Sequence, residues 1–338
     1  MAYPSRDLWL VVNTCYRINE SNVMLNSAAR ILDYVGPSGL ANAVFQAARG
    51  IVLRDILGRR FVQRRIYDYR MWLDLTDPGL SRTMLLFGKR ELEHKRLMEL
   101  IVVPGTTIFD IGANIGYYAV MESRLVGPAG RIIAIEPSAA NVALLRRNLD
   151  LNDVRNVTVL EGAVSSTEGE KEIFLSRLSN LNTFHPLEGT ETSPDRTAKV
   201  HTTTVRELAR QHGAPALIRM DVEGHEVEIL DAMLDGVRAR ELAPTIIFEV
   251  HRNRYSAQHD FEKTLRGLFA CGYSVRYVGS SQRSGTEKVE SMGYRGGTPI
   301  ETDFMQRVIF ENIREDDAIA LICQTGGVRT VVLAPPKR

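Results

Sequence analysis

From about residue 105 the chain repeats one pattern: a short apolar run, then a stretch whose apolar positions fall three and four apart. Short apolar runs bounded by glycine or polar turns read as buried strands, and the three-and-four spacing reads as helices packed through one face. Strands are expected at 106–111, 131–136, 157–161, 216–221, 245–250, 273–278 and 329–334. Helices are expected at about 115–126, 138–150, 204–212, 225–235, 259–271 and 313–322. Such alternation predicts a doubly wound α/β fold, a mostly parallel sheet with helices on both faces. The stretches 176–200 and 279–303 are rich in Ser, Thr, Gly and Pro and are expected as functional loops.

The N-terminal part reads differently. Two helical patterns, 21–34 and 39–57, are separated by the breaker Gly36-Pro37-Ser38-Gly39. Residues 1–70 are therefore expected as a helical extension ahead of a domain spanning 71–338. Seven arginines lie between Arg49 and Arg70 against Asp55 and Asp68. A solvated helix face is the plainer reading of that segment; peripheral contact with an anionic membrane or an acidic partner is the other.

The most specific chemistry lies where the first strand of the repeat meets its helix. Thr107-Ile-Phe-Asp-Ile-Gly-Ala-Asn-Ile-Gly-Tyr117 is an apolar run ending in a glycine turn, and Arg131-Ile-Ile-Ala-Ile-Glu136 is a strand tipped with a carboxylate. Together they read as a nucleotide-binding half-unit. The spacing Asp110-x-Gly112-x-Asn114-x-Gly116 lacks the third glycine of G-x-G-x-x-G, which a pyrophosphate requires against the helix start. An acid at Asp110 suits a cationic ligand better than a phosphate. S-adenosylmethionine (SAM) has a sulfonium, an amino-acid tail and no phosphate. Glu136 would accept from its ribose hydroxyls, and Glu161-Gly162-Ala163 offers backbone groups to its adenine.

Composition narrows the partners. The 338 residues are 44% hydrophobic with a formal net charge of +1, which gives no global pull toward nucleic acid. Cys15, Cys271 and Cys323 form no disulfide or metal-binding pattern, and no apolar window of about 18 residues is free of charge. A cytoplasmic protein is expected, peripheral at the membrane if the basic segment acts there. A homo-oligomer is compatible with the sequence but is not specified by it.

At this point the chain resembles the FkbM family of SAM-dependent methyltransferases. The resemblance rests on Phe109-Asp-Ile-Gly-Ala-Asn-Ile-Gly-Tyr117, Ile135-Glu-Pro137, Asn148 with Asn152, Ala163-Val-Ser165, Arg219-Met-Asp-Val-Glu-Gly-His-Glu226 and Ile246-Ile-Phe-Glu249. Gly88-Lys-Arg-Glu91 matches an upstream Gly-x-x-Glu segment, and Arg219-Met220 departs from a more usual Lys-Ile. The resemblance covers roughly residues 70–280. It implies the class I methyltransferase fold, Rossmann-like, with a seven-stranded sheet whose last strand is antiparallel. It also implies O-methyl transfer to a sugar, glycolipid, polysaccharide or polyketide-type hydroxyl. The cofactor contacts it implies are Glu91, Asp110, Gly112, Asn114, Gly116, Glu136, Ala163 and Asp221.

An alcohol is a poor nucleophile, so a base or a metal is expected at the carboxyl ends of the strands. Two clusters qualify: Asp221-Val-Glu-Gly-His-Glu226, and Glu249-Val-His251. Period two puts Glu249 and His251 on one strand face, and His251 oriented by a carboxylate is the first choice of base. His225, Asp221 and Glu223 follow it. Glu226 and Glu228 equally suit the positive end of the helix they open. Asp221, Glu249 and His251 also form a possible ligand set for Mg²⁺ or a transition ion. His94, His201, His212 and His259 are expected on surfaces or helices, and His185 in a loop over the acceptor. The competing readings are a nicotinamide-dependent oxidoreductase and a catalytically silent SAM-binding scaffold.

Overall fold

A computed structural model describes residues 23–176, 178–185 and 192–336. β1 (Phe61–Arg65) and β2 (Arg70–Asp74) form a hairpin, followed by β3 (Thr107–Ile111), β4 (Arg131–Glu136) and β5 (Val157–Glu161). The short β6 (Ala163–Val164), β7 (Gly169–Ser176) and β8 (Thr192–Thr203) make a separate three-stranded sheet. β9 (Leu217–Met220), β10 (Thr245–Glu249), β11 (Ser274–Ser280), β12 (Ile300–Thr302), β13 (Met305–Arg307), β14 (Ile309–Ile313) and β15 (Val328–Ala334) complete the strands.

The main sheet has eight strands in the order β14-β11-β15-β10-β9-β3-β4-β5. β3, β4, β5, β9 and β10 are mutually parallel, and β15 lies antiparallel between β10 and β11. That is the expected doubly wound sheet with its last strand reversed. β14 pairs antiparallel with β11 and extends the expected seven strands to eight. It escaped the sequence reading because Ile309-Phe-Glu-Asn-Ile313 is a short edge strand with an exposed polar pair.

Side-chain alternation divides each central strand between two cores. Phe109 and Ile111 face the helices Glu226–Arg238 and Phe261–Ala270, whereas Ile108 faces Leu92–Ile101 and Tyr117–Val126. The helix Val23–Ile51 is broken at Gly36, where φ is 67°, as the Gly-Pro pair predicts. Residue 70 falls inside the β1–β2 hairpin. Asn148 and Asn152, on the helix Ala139–Leu151, hold that hairpin: each side-chain amide accepts from and donates to the backbone of Trp72 and Arg70 respectively.

The two expected loops carry more structure than their composition suggests. The first contains β8 and the turn 178–185; the second contains the helix Arg283–Ser291 and β12. Both lie outside the central sheet, where exposed polar positions mask the periodicity.

Candidate active site

β3 delivers the chain to Gly112, Asn114 and Gly116, with φ of 81°, 49° and 88°, and the helix Tyr117–Val126 starts directly after. A Cβ at Gly112 would lie 2.3 Å from the Asp221 carbonyl oxygen, and one at Gly116 would lie 2.4 Å from Leu145. Both the left-handed backbone and the lack of space demand glycine there. Glu136 fixes the turn from the next strand. One carboxylate oxygen accepts from the Asn114 N–H at 2.9 Å, and the other from Ser138 N–H and the Asn141 amide, each at 3.0 Å. Burial pushes the Glu136 carboxyl up to about 7 against those three donors.

Beside this turn opens a cavity of about 860 Å³, lined by Glu91, Gly112, Ala113, Asn114, Glu136, Gly162, Ala163, Asp221 and the loop residues 179–184 except Leu181. Asp110 is absent from its walls, which corrects the reading of that residue. Its fully buried side chain lies behind the cavity-lining Arg219, which stands directly across from it on β9, with Oδ1 at 3.2 Å from Nη1. Arg219 also donates to the Gly112 carbonyl at 3.1 Å and to Asp221 at 3.2 Å, while stacking 4.2 Å over the Tyr118 ring. The acid before the turn thus anchors the cation that clamps the turn. The carboxylates that do reach the cavity are Glu91, Glu136, Asp221 and Glu223. Burial opposes charge on Glu91, but Arg90 and Arg329 outweigh it and hold the group well below the usual range.

A second cavity, about 1050 Å³, shares Arg90, Asn180, Asp221 and Glu223 with the first and continues to Lys89, Glu249, Asp303, Phe304, Arg307 and Arg329. His251 lies against the carboxylates at this junction. Its Nε2 is 3.7 Å from Asp221, 3.7 Å from Glu223 and 3.9 Å from Glu249. Its Nδ1 bonds the fully buried Glu226 at 2.7 Å. The orienting carboxylate is therefore Glu226, not Glu249, which donates nothing to the ring and instead accepts from Arg329 at 2.9 Å.

Charge counting then decides the protonation states. Burial disfavours a charged His251, but Glu226 and Glu223 outweigh it and raise the ring well above the ordinary histidine value. A histidine held in that state is poorly disposed to take a further proton. Burial pushes Glu249 up to about 7, with Arg329 opposing the shift. His225 is equally buried but stands apart, with Nε2 on Ser165 at 2.9 Å and Nδ1 toward Glu228 at 3.3 Å. Burial drives it down to about 3. Of the expected metal trio, Asp221 and His251 converge with Glu223 rather than Glu249, because Arg329 holds Glu249. His94 lies on the helix Leu92–Ile101, one of its two expected settings, and is buried against Tyr118 at 4.6 Å between rings.

Comparison with known proteins follows the same lines. The model of the methyltransferase FkbM domain matches residues 110–275. Methyltransferase sdnD of Sordaria araneosa is 30% identical over 182 residues, 45% of this chain and 70% of that protein. The chain belongs to the FkbM methyltransferase family. It is also 34% identical over 58 residues to a protein-L-isoaspartate O-methyltransferase of Methanothrix thermoacetophila, spanning 17% of this chain but only 28% of that relative. Among solved structures, M. jannaschii TYW2 in complex with AdoMet aligns at 14% identity over 75% of this chain and 88% of that one, with a TM-score of 0.37.

For an FkbM-family chain the methyl donor is SAM, and the residues present fit it. Gly112 and Gly116 leave a cradle that a Cβ would fill, and Glu136 keeps carboxylate lone pairs for hydroxyls beyond its three N–H donors. Glu91 and Asp221 offer negative charge toward a cationic centre. Two contributors had no local signal in the sequence. Arg329 is a lone cation inside the apolar strand Val328–Ala334, set beside Glu249 by β15 pairing with β10. Arg307 is buried and ion-paired with Glu93, more than two hundred residues away in sequence.

Proposed function

We propose that the protein transfers a methyl group from SAM to a hydroxyl of a sugar, glycolipid, polysaccharide or polyketide-type natural product. The observation that carries this reading is the junction of two cavities at Asp221 and Glu223 beside Glu249. Donor and acceptor must meet within about 3 Å and in line, and a shared wall between two pockets supports that approach. SAM, when bound, supplies an electrophilic methyl group on sulfur. Glu249, near 7, accepts the proton of the acceptor hydroxyl, because a base poised near the working pH combines availability with driving force. His251, held charged by Glu226, positions Asp221 and Glu223 at the junction. Glu136 and the glycine turn hold the nucleoside.

A second reading has its own observation: Asp221, Glu223 and His251 each point one ligand atom into the same small space. An oxygen-rich set of this kind suits Mg²⁺, with Glu226 orienting the histidine from behind. The decisive experiment is labelled SAM with a panel of deoxy sugars, glycolipids and polyketides, with and without EDTA. Transfer that survives EDTA supports Glu249 alone; transfer abolished by EDTA and restored by Mg²⁺ supports the metal. Titration with S-adenosylhomocysteine (SAH) and with NAD separates the oxidoreductase reading, which binding of NAD alone would favour. SAH binding without transfer to any acceptor would favour the scaffold.

The basic N-terminal segment supports contact with an anionic membrane surface. Phe45, Ile56 and Leu57 are 63%, 73% and 58% exposed near Arg49, Arg59 and Arg60. No helix among the described residues is long and apolar enough to cross a membrane. Replacing the three apolar residues by Ser should abolish pelleting with vesicles containing phosphatidylserine; equal pelleting of both proteins removes the idea.

A further inference from the structure

Next to the junction, but separate from it, three histidines converge on one carboxylate. His185 Nε2 lies 3.0 Å from His225 Nδ1 and 3.3 Å from Glu228 Oε1. Glu228 Oε1 is also 3.1 Å from His259 Nδ1, and Glu228 Oε2 is 3.3 Å from His225 Nδ1. These atoms come from three places: the turn inside the β7–β8 hairpin, the start of the helix Glu226–Arg238, and the residue pair preceding the helix Phe261–Ala270.

Hydrogen bonding behind the rings limits what can lie between them. His259 Nε2 is 2.7 Å from the Gly224 carbonyl, which only accepts, so that nitrogen carries the proton. Its Nδ1 faces the Glu228 carboxylate, which also only accepts, so His259 favours the charged ring and donates to Glu228. His225 Nε2 is held by Ser165, whose hydroxyl in turn accepts from Lys171 at 2.7 Å. Ring nitrogens fixed from behind in this way are the usual support of metal-bound histidine. Ligands about 2.0–2.2 Å from a tetrahedral zinc ion stand roughly 3.3–3.5 Å from each other. The separations among His185, His225 and Glu228, 3.0 to 3.3 Å, are close to that spacing before any ion draws the ligands into place. Glu228 and His185 keep 25% and 28% of their side-chain surface exposed, which gives an ion a way in.

We infer that His185, His225 and Glu228 bind a divalent transition-metal ion, best matched by zinc, which clips the turn 178–185 to the body of the domain while His259 holds Glu228 from the side. Imidazole-rich sets select zinc and its neighbours over Mg²⁺, the opposite preference to the carboxylate cluster around His251. The turn it fixes supplies Ser179, Asn180, Asn182, Thr183 and Phe184 to the donor cavity. The ion therefore closes the roof of that cavity without touching the reacting atoms; this role, unlike the site itself, rests on the donor reading above.

The test begins with the whole protein. Metal analysis after purification in chelator-free buffer, and zinc titration of the EDTA-treated protein, should give one ion per chain. Cobalt substitution should give the visible d–d absorption of a tetrahedral site. His185→Ala and His225→Ala should lose that spectrum, and Asp221→Asn, in the neighbouring cluster, should keep it. SAH affinity should fall at least tenfold on zinc removal, and in His185→Ala it should match the metal-free wild type. Absence of zinc binding at micromolar concentration overturns the site, as does a cobalt spectrum lost in Asp221→Asn but kept in both histidine variants. A zinc site present with SAH affinity unchanged overturns the roof role alone. A zinc site present with no SAH binding at all instead removes the donor reading.

Discussion

The two cavities that meet at Asp221 and Glu223 are built on different principles. The donor cavity takes its floor from short turns at the ends of β3, β4, β5 and β9, where backbone comes so close to backbone that Gly112 has no room for a methyl group. The cavity proposed for the acceptor is assembled from Lys89, Arg90, Glu249, Asp303, Arg307 and Arg329, drawn from distant parts of the chain. Its buried charges are held in opposed sets, Arg329 between Glu91 and Glu249, and Arg307 between Glu93 and Asp303. One cavity should thus fail through lost space, the other through unbalanced charge.

The largest effect expected is on the chemistry itself. Glu249→Gln keeps the shape of the acceptor wall and removes the base, so methyl transfer should drop by about 10²–10⁴-fold while SAH affinity stays within a few fold. Undiminished transfer would remove Glu249 from the mechanism. Next comes Arg329→Met, which strands Glu91 and Glu249 without their shared cation. Breaking a buried ion pair costs about 3–5 kcal/mol, so the melting temperature should fall by several degrees. Adding Glu249→Gln to that variant should recover part of the loss, since the two changes share a partner. Additive losses would mean that the charges are independent.

Gly112→Ala probes the donor side. A Cβ 2.3 Å from the Asp221 carbonyl, on a residue at φ 81°, forces the turn to move. Strain of about 1–3 kcal/mol corresponds to SAH binding weaker by about 5- to 150-fold. Acceptor-side variants should leave that affinity alone. If Gly112→Ala binds SAH normally, the cavity holding the donor is not the one beside the glycine turn.

The difference between the cavities also explains what the sequence disclosed. Glycine spacing, Glu136 and the strand ends are local, so β3, β4, β5 and the helices between them lie within a residue or two of their expected limits. Asp110 was assigned to the ligand because its position before the turn is local, yet its direction depends on Arg219, which lies across the sheet. His251 was assigned as a base because Glu249 is two residues away. Its hydrogen-bonded partner, Glu226, opens a helix more than twenty residues away and strengthens its hold on a proton. The roles of Arg329 and Arg307 depend wholly on pairing between distant strands and helices. The His185–His225–Glu228–His259 cluster was invisible for the same reason: two of its members looked like ordinary loop and helix histidines.

The smallest effect is the most diagnostic of the donor cavity, because it isolates one carboxylate. Glu136 sits near 7 when folded against 4.5 as its ordinary value, since burial disfavours its charge. The folded chain therefore holds that proton over a range in which the unfolded chain has lost it. The associated stability is present below about 4.5 and is lost as pH rises toward 7, by on the order of 3 kcal/mol. Ribose hydroxyls donate best to the ionised group, so donor binding pulls the proton off. SAH affinity should consequently rise from about pH 6 to about pH 8 and level off above, with proton release seen as a dependence of the binding heat on buffer. Glu136→Gln has nothing to release: its affinity should be lower, by roughly tenfold or more for loss of a charge-assisted hydrogen bond, and flat across the same range. A wild-type profile as flat as that of the variant would show that the ribose hydroxyls do not engage Glu136, and the nucleoside would have to lie elsewhere along the glycine turn.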